Sequence, residues 1–214
     1  MSSPIPKVGQ RVEFASRFVP RSSNLLDIGC GDGYIVNFVR EKVSDIYGID
    51  IEEISLKRSR LKGIITKKCD LDKESLPFRR CFFEVITCLD VIEHVRNPLL
   101  LLKNIHRVLK KRGILIISTP NIRYSNHLYR LIFEGVFPKT SEDYRIYDGG
   151  HIHFFTYKDL NNLLLESRFK ILKIEGIINK ETRGWKGRFI QSIVGKKIMN
   201  EFRSPGILLI AQKI

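Results

Sequence analysis

Hydrophobic residues fall into short runs that alternate with amphipathic stretches along the first half of the chain. Five runs rich in Ile, Val and Leu predict strands at residues 24–29, 45–50, 64–68, 83–89 and 113–119. The stretches between them predict helices at 33–42, 52–60 and 98–111. The last of these begins at Pro98 and stops before Gly113, as helices favour. This alternation is typical of a parallel sheet covered by helices.

The second half of the chain has a different pattern. It contains a predicted helix at 157–167, a strand at 169–177 and a final apolar run, Ile207–Ala211. A polar and aromatic section lies before this helix, and a basic section lies between the last two strands. We interpret residues 1–214 as one domain with a lid-like insertion at about 121–155 and a basic insertion at about 179–205.

The junction after the first strand carries the clearest chemical signal. Three glycines spaced two apart follow the strand: Gly29, Gly31 and Gly33. A dinucleotide fingerprint would need its third glycine at position 34, which is Tyr34. Asp27 and Asp32 also place negative charge where a pyrophosphate would sit. A nucleoside carrying an ammonium and a sulfonium but no phosphate suits these carboxylates, and S-adenosylmethionine has that chemistry.

Carboxylates also end the next two predicted strands. Asp50 lies at the tip of the second strand, where it can accept hydrogen bonds from both hydroxyls of a ribose. Asp70 and Leu71 end the third strand, where they are placed to accept from an adenine amine and to pack on its ring. Three strand ends therefore predict one nucleoside pocket.

These residues, together with the fourth-strand segment Asp90–His94, resemble the class I S-adenosylmethionine-dependent methyltransferases over nearly the whole chain. The resemblance implies a Rossmann-like α/β fold: a seven-stranded sheet with helices on both faces and an antiparallel last strand. It further implies that Asp27 and the glycines hold the methionine part of the cofactor, and that residues 11–21 include a leading helix that covers it. The cofactor-binding positions that it implies are Asp27, Gly29, Cys30, Gly31, Gly33, Asp50, Ile51, Asp70, Leu71, Leu89 and Asp90.

Two later segments point to branches of this family. Ser118–Asn121, followed by an insertion and His151–Thr156, resembles both methyltransferases of polysaccharide or glycolipid assembly and the MetW-type proteins. Asp90–His94 is closer to the small-molecule and quinone O-methylating branches. We therefore predict O-methylation of a small-molecule, sugar or lipid-linked hydroxyl, with a small-molecule acceptor as the partner.

Three histidines are candidates for a base that removes the hydroxyl proton: His94, His151 and His153. His94 follows the fourth strand and has an alternative role as a cap for the helix at Pro98. Glu93 is expected to point away from it. His151 and His153 alternate on an extended segment, but as metal ligands they show no third partner in the sequence, so we predict no metal site.

Composition bounds the class of protein. The 214 residues are 43% hydrophobic, which is enough for a sizeable core. No apolar stretch is long enough to span a bilayer and none resembles a signal core, so a cytoplasmic protein is expected. The cysteines lack metal-site spacing and are expected to be mostly buried thiols: Cys30, Cys69, Cys81 and Cys88.

A net charge of +14 keeps two alternative functions open. An RNA methyltransferase would use the basic surface, although the charges are scattered and Leu89–Ile92 lacks the Asn/Asp-Pro-Pro-aromatic signature of base N-methylation. A relative that binds S-adenosylmethionine without catalysis is the other alternative. The basic insertion is either a solvated hairpin or a surface for an anionic partner or a second subunit, as in a homodimer. The aromatic rings of the 121–155 insertion either grip an acceptor or form the insertion's own core.

Overall fold

The computed structural model describes residues 8–141, 147–177 and 201–214, with Val8 described by its backbone. Six α-helices with both ends described and seven strands are formed by these residues; residues 201–203 are also helical, and Tyr147–Gly150 is a short 3-10 segment. In chain order the six α-helices and seven strands are α1 Val8–Ser16, β1 Ser22–Ile28, α2 Val36–Val39, β2 Val43–Asp50, α3 Glu53–Leu61, β3 Ile65–Lys68, β4 Phe83–Leu89, α4 Pro98–Val108, β5 Leu109–Pro120, α5 Ser125–Phe133, α6 Tyr157–Glu166, β6 Phe169–Ile177 and β7 Gly206–Lys213.

The strands form one sheet in the order β3-β2-β1-β4-β5-β7-β6. Strands β1 to β5 pair in parallel with their neighbours, whereas β7 lies antiparallel between β5 and β6. The predicted seven-stranded sheet with an antiparallel last strand is confirmed. Because the order reverses at β1 and β4, the carboxyl ends of these two strands flank a crevice in which α/β sheets bind ligands.

Helices cover both faces of the sheet. On one face, buried side chains of α4 and α6 pack against the sheet around Phe83 and Phe169. On the other, α1 and α2 pack over Leu25, Val43 and Ile46. Two apolar layers around a buried parallel sheet explain why its central strands read as nearly continuous hydrophobic runs.

The helix after the glycine turn is much shorter than predicted. The sequence predicts residues 33–42, but α2 spans Val36–Val39 and is flanked by turns. Gly31 and Gly33 hold positive φ angles, so a regular helix cannot start before them. The chain turns again at Lys42, because Val43 must already pair with Ser22 in the sheet.

The boundary between α4 and β5 was also predicted wrongly. The helix was expected to reach residue 111, but it ends at Val108 and β5 starts at Leu109. Leu109 pairs with Phe83, and the Phe82 N–H donates to the Val108 carbonyl at 2.7 Å. These sheet contacts outweigh the helix propensity of the basic turn, and Gly113 lies inside the strand instead of ending the helix.

The 121–155 insertion contains α5. His127 of this helix is buried, whereas Tyr129 and Phe133 are 54% and 73% exposed. Of the basic insertion at about 179–205, residues 179–200 lie outside the described residues. Residues 201–204 anchor the first insertion: the Asn121 side chain donates to the carbonyls of Glu201 and Ser204. Among the described residues, no helix combines the length and apolar character needed to cross a membrane.

The N-terminus of α6 provides a test of local stability. Thr156 and Asp159 form a capping box: the Thr156 hydroxyl accepts from the Asp159 N–H, and the Asp159 carboxylate accepts from the Thr156 N–H. We expect Thr156→Ala to lower the free energy of unfolding by about 1 kcal/mol, measured by urea denaturation. Lys158→Ala, an exposed change on the same turn, should stay within about 0.5 kcal/mol of the unaltered protein. Equal effects of the two changes would contradict the role of the cap.

Candidate active site

The carboxyl ends of the central strands open onto two adjoining cavities. One has a volume of about 330 Å³ and the other about 370 Å³, and both are lined by Gly29, Leu89 and Asp90. Of the other predicted cofactor residues, the first cavity is lined by Asp50, Ile51, Asp70 and Leu71. The second is lined by Asp27, Cys30 and Gly31. The structure therefore gathers every predicted cofactor residue except Gly33 at the cavity walls.

Gly29 and Gly31 shape the turn that enters these cavities. Gly29 has a φ of +70°, and a Cβ built on it would lie 2.4 Å from the Val91 Cγ2. Gly31 has a φ of +48°, and a Cβ there would meet nothing within 4 Å. The turn therefore needs glycine at the first position for close packing, and at the second it leaves open space against the main chain.

Gly33 serves packing instead of lining a cavity. A Cβ on this residue would lie 2.8 Å from the Ile64 Cδ1 and 3.0 Å from the Ser59 hydroxyl oxygen. The Ser59 hydroxyl in turn donates to the Gly31 carbonyl at 2.6 Å. Gly33 thus lets α3 approach the turn closely, and its effect on ligand binding is indirect.

Asp50 and Asp70 hold their positions through local hydrogen bonds. The Asp50 carboxylate accepts from the N–H groups of Gly31 and Glu52 at 2.9 and 3.0 Å. Asp70 pairs with Lys73 at 2.9 Å and accepts from the Asp72 N–H at 3.1 Å, and these contacts lower its pKa. Each carboxylate is therefore oriented at the cavity wall and retains lone pairs for a ligand.

Asp27 is the most perturbed carboxyl group of the cofactor set. It is buried at the end of β1 and accepts from the Thr87 hydroxyl at 2.7 Å. Burial raises its pKa to about 7, the Thr87 hydrogen bond opposes this, and the charge of Asp50 adds to it. A neighbouring cation would favour the ionised form, so this group is suited to a positively charged ligand.

Two residues that the sequence reasoning missed complete this region. Arg11 of α1 forms a 2.7 Å ion pair with Asp90, and Val91 contributes the side chain that packs against Gly29. Val12 of α1 lines the second cavity, which agrees with the predicted leading helix over the cofactor. Asp90 has a φ of +54°, an uncommon conformation for a residue with a side chain, and it combines this conformation with a place in the walls of both cavities.

The predicted histidines separate into two groups. His94 lines the first cavity, and its ring lies 4.6 Å, centroid to centroid, from the buried ring of His151. Burial lowers the pKa of His151, and the charge of His94 adds to that effect. The His153 ring lies beside Phe155 at 6.0 Å, and its backbone N–H donates to the Glu93 carbonyl. The structure therefore brings His94 and His151 together and places the His153 ring in a different contact.

Glu93 does not point away from His94, contrary to the prediction. One ligand atom each from Glu93, His94 and His151 lies within 4.8 Å of the others. The sequence predicted no metal site because His151 and His153 had no visible third partner, but the fold supplies two further side chains at His151. Burial, with the charge of Asp90, raises the pKa of Glu93 well above its usual range. The nearby Thr119 hydroxyl and the positive charge of Arg11 lower this pKa in part.

The residues present fit S-adenosylmethionine. The open Gly31 main chain and the carboxyl group of Asp27 suit the cationic methionine part, and the Asp50 carboxylate suits two ribose hydroxyls. Exposed Ile51, with Leu71, provides apolar walls beside Asp70 for an adenine ring. Of the two carboxylates predicted to repel a pyrophosphate, Asp32 is paired with Arg58 at 3.1 Å, so the argument against a dinucleotide rests on Asp27 and on the Asp50 carboxylate at the Gly31 N–H.

Comparisons with curated proteins agree with this geometry. Two relatives are named ubiquinone biosynthesis O-methyltransferase. The one from Idiomarina loihiensis is 26% identical over 170 residues, covering 75% of this chain and 67% of the relative. The one from Neisseria meningitidis is 27% identical over 119 residues, covering 52% of this chain and 50% of the relative. The chain thus spans between half and two thirds of the length of these relatives.

Solved structures share the fold. A methyltransferase from Archaeoglobus fulgidus has a TM-score of 0.67 at 20% identity, covering 96% of this chain and 93% of its own. One from Mesorhizobium loti has a TM-score of 0.63 at 19% identity, covering 94% and 96%. A family model described as a methyltransferase domain matches residues 5–174. The chain therefore belongs to the methyltransferase-domain family and is a class I, S-adenosylmethionine-dependent methyltransferase.

Proposed function

We propose that this enzyme transfers a methyl group from S-adenosylmethionine to a hydroxyl oxygen of a small molecule. One observation carries the proposal: the first cavity is lined by the adenine-side residues Asp70 and Leu71 and also by His94. The ribose acid Asp50 and the turn residue Gly29 line it as well. Cofactor and acceptor sites therefore adjoin, as an in-line displacement requires.

The space left for the acceptor is small. The adenosine of the cofactor takes the part of this cavity, about 330 Å³ in all, that is lined by Asp50, Asp70 and Leu71, so the acceptor is confined to the wall at His94. Val91 and Val95 add apolar surface near His94. This combination favours a hydroxylated aromatic ring or sugar over a nucleic acid strand. The names of the curated relatives support oxygen as the acceptor atom.

The protein mainly has to position the acceptor. When bound, S-adenosylmethionine supplies a methyl group activated by its sulfonium. The wall at His94 directs the acceptor hydroxyl, and this end of the cavity is where its proton is released. His151 belongs to the 121–155 insertion, and its ring contacts the ring of His94. This contact supports a role for the insertion as part of the acceptor site. His153 would act from outside this cluster.

A methyl-transfer assay tests the proposal. The full chain is incubated with methyl-labelled S-adenosylmethionine and three acceptors: a dihydroxylated aromatic, a glycoside and total RNA. We expect label in a methyl ether of the aromatic compound or glycoside and none above background in RNA. Label in RNA, with binding that falls steeply with salt, would contradict the proposal. So would cofactor binding without transfer to any hydroxyl acceptor.

The Asp27 carboxyl group predicts a pH dependence of cofactor affinity. Its pKa is about 7 in the free protein, against an ordinary value of 3.8. An ammonium beside it would lower that pKa, so binding below pH 7 must also release a proton. Affinity should therefore rise from pH 5 to pH 7, by at most about tenfold per pH unit. Calorimetry should show a flat profile for Asp27→Asn, and a flat profile for the unaltered protein would contradict the role.

The cysteines support a reducing location for the enzyme. All four are free thiols; Cys30, Cys69 and Cys88 are buried, as expected, whereas Cys81 is exposed. Free thiols are usual where glutathione and thioredoxin keep cysteines reduced. We therefore propose the cytoplasm as the site of action.

A further inference from the structure

We propose that Glu93, His94 and His151 bind one first-row divalent transition-metal cation, such as Zn²⁺, beside the acceptor end of the cavity. This inference rests on the proposed hydroxyl methylation and deepens it. One ligand atom from each side chain lies within 4.8 Å of the others. Two imidazoles and one carboxylate are the donor set that such cations prefer.

Glu93 provides the first argument, because it is a buried acid, and the Thr119 hydroxyl that lies near it is itself left without a hydrogen bond of acceptable geometry among the described residues. Its side chain is 1% exposed, and neither carboxyl oxygen accepts a hydrogen bond of acceptable geometry. Leaving a carboxyl group unpaired in the interior is costly unless a cation or a donor completes it. The nearest imidazole nitrogen, Nε2 of His151, lies 3.9 Å from Glu93 Oε1, too far for a hydrogen bond. An ion between these groups would satisfy both.

The second argument is the tautomer of His151. The Asp148 carboxylate accepts three hydrogen bonds. They come from the Thr140 hydroxyl at 2.8 Å and from the N–H groups of Thr140 and Ser141 at 2.6 and 2.8 Å. The single hydroxyl proton of Thr140 is thereby committed. Its oxygen must accept at 2.6 Å from Nδ1–H of His151. The proton is therefore on Nδ1, and Nε2 presents its lone pair toward Glu93.

The tautomer of His94 also follows from its hydrogen-bond partner. Its Nδ1 lies 3.3 Å from the Gly150 carbonyl oxygen, which can only accept, so Nδ1 carries the proton. Nε2 of His94 is left with a lone pair. Metal-binding histidines usually donate their other N–H to a carbonyl or a similar acceptor, and this contact fixes the ring orientation. Both histidines show that arrangement.

The loop that delivers His151 is built for this geometry. Asp148, Gly149 and Gly150 have φ angles of 48°, 64° and 80°. Gly149 and Gly150 adopt such angles readily, and aspartate is among the side-chain residues that most often do so. The turn that results places Asp148 against Thr140 and His151 beside His94.

A cation in this position would take part in the chemistry of the proposed site. Three protein ligands leave at least one coordination position open, and His94 lines the cavity in which the acceptor lies. An acceptor hydroxyl in the open position would have a lowered pKa and would lose its proton to solvent water. His94 and His151 would then act as ligands, and a free histidine base would not be needed.

Metal titration of the full chain tests the inference. The purified protein is stripped with a chelator and titrated by calorimetry with Zn²⁺, and in parallel with Co²⁺, whose visible absorption reports nitrogen and carboxylate coordination. We expect one ion per chain, and at least tenfold weaker binding in Glu93→Gln and in His151→Asn. The His106→Asn variant, which alters a histidine of α4 outside the cluster, should bind as the unaltered protein does. Urea denaturation shows whether each variant is folded.

A further variant tests the orientation of the His151 ring and leaves all three proposed ligands unchanged. Thr140→Val removes the hydroxyl that fixes the His151 tautomer and should weaken Zn²⁺ binding by about 10- to 100-fold. Thr66→Val is the matched control, because the Thr66 hydroxyl is buried without a partner among the described residues. Equal affinities of the two threonine variants would overturn the proposed orientation of His151.

The outcomes separate this inference from the proposed function. Stoichiometric metal binding that the ligand variants weaken supports the site, and loss of methyl transfer on chelation, restored by Zn²⁺, supports its catalytic role. Absence of stoichiometric binding, or binding unchanged in Glu93→Gln and His151→Asn, would overturn the site. Methyl transfer that persists in stripped protein would overturn the role of the cation while leaving hydroxyl methylation intact. Failure of the stripped protein to bind S-adenosylmethionine would contradict the cofactor pocket itself.

Discussion

Gly29→Ala should lower the free energy of unfolding by about 2 to 5 kcal/mol and should weaken S-adenosylmethionine binding at least tenfold. A φ of +70° costs a residue with a Cβ about 1 to 2 kcal/mol. The new Cβ would also lie 2.4 Å from the Val91 Cγ2, and such overpacking costs about 1 to 3 kcal/mol. Val91 lines the cavity and is stiff at χ1, so relief of the clash must move a cavity wall. Urea denaturation and calorimetry measure the two effects.

Two further variants make the Gly29 prediction specific. Gly9→Ala adds the same methyl group where a Cβ would meet nothing within 4 Å, and it should leave cofactor affinity unchanged. Val91→Ala combined with Gly29→Ala should recover the packing part of the loss but not the backbone part, which a double-mutant cycle measures. An alanine at position 29 that is tolerated in stability and affinity would show that the glycine turn is not constrained as described.

Asp50→Ala should weaken S-adenosylmethionine binding by about 1 to 3 kcal/mol, which is a loss of roughly 5- to 150-fold. The side chain is the predicted partner of the ribose hydroxyls, and it also accepts from the N–H groups of Gly31 and Glu52. Its removal therefore leaves donors of both ligand and turn without an acceptor. Calorimetry on a variant confirmed as folded measures the loss of affinity.

The matched control for Asp50 is on the same strand. Asp45 is an exposed aspartate near the start of β2, at the end of the strand away from the cavities. Asp45→Ala makes the same chemical change and lowers the negative charge equally, so it should leave affinity within about twofold if charge at a distance is screened. Similar losses in both variants would assign the effect to net charge and would contradict a direct contact at Asp50.

Local sequence features are enough to predict which strand ends line the two cavities. Asp27, Asp50 and Asp70 are recognisable because each follows an apolar run, and parallel strands place their carboxyl ends at one edge of the sheet. The spacing of the glycines by itself distinguishes a dinucleotide turn from one suited to a nucleoside without phosphate. The seven-stranded sheet and its antiparallel last strand follow from the family resemblance, and the structure confirms them.

The arrangement of residues on the acceptor side of the site could not be predicted from local sequence features. Glu93 and His151 are far apart in the chain, and their proximity depends on the loop at Asp148–Gly150 and on backbone hydrogen bonds from Ile152 and His153 to Glu93. A pattern based on neighbouring residues placed Glu93 on the wrong side. The signal that would have found it is an acid beside a histidine directly after a buried strand.

The helix boundaries failed where tertiary contacts override local preference. The segment 33–42 has helical periodicity, but the positive φ angles of its glycine turn and the pairing of Val43 in the sheet leave room for only the short α2. Residues 109–111 favour helix by composition, yet Leu109 pairs with Phe83. In both places sheet register decides the structure, and register depends on contacts distant in sequence.

Calorimetric titration of the purified chain with S-adenosylmethionine, and separately with a nicotinamide dinucleotide, tests the central claim most directly. The carboxylates at three strand ends and the glycine turn predict saturable binding of one S-adenosylmethionine per chain and no measurable binding of the dinucleotide. Absence of S-adenosylmethionine binding, or preferential binding of the dinucleotide, would contradict the account.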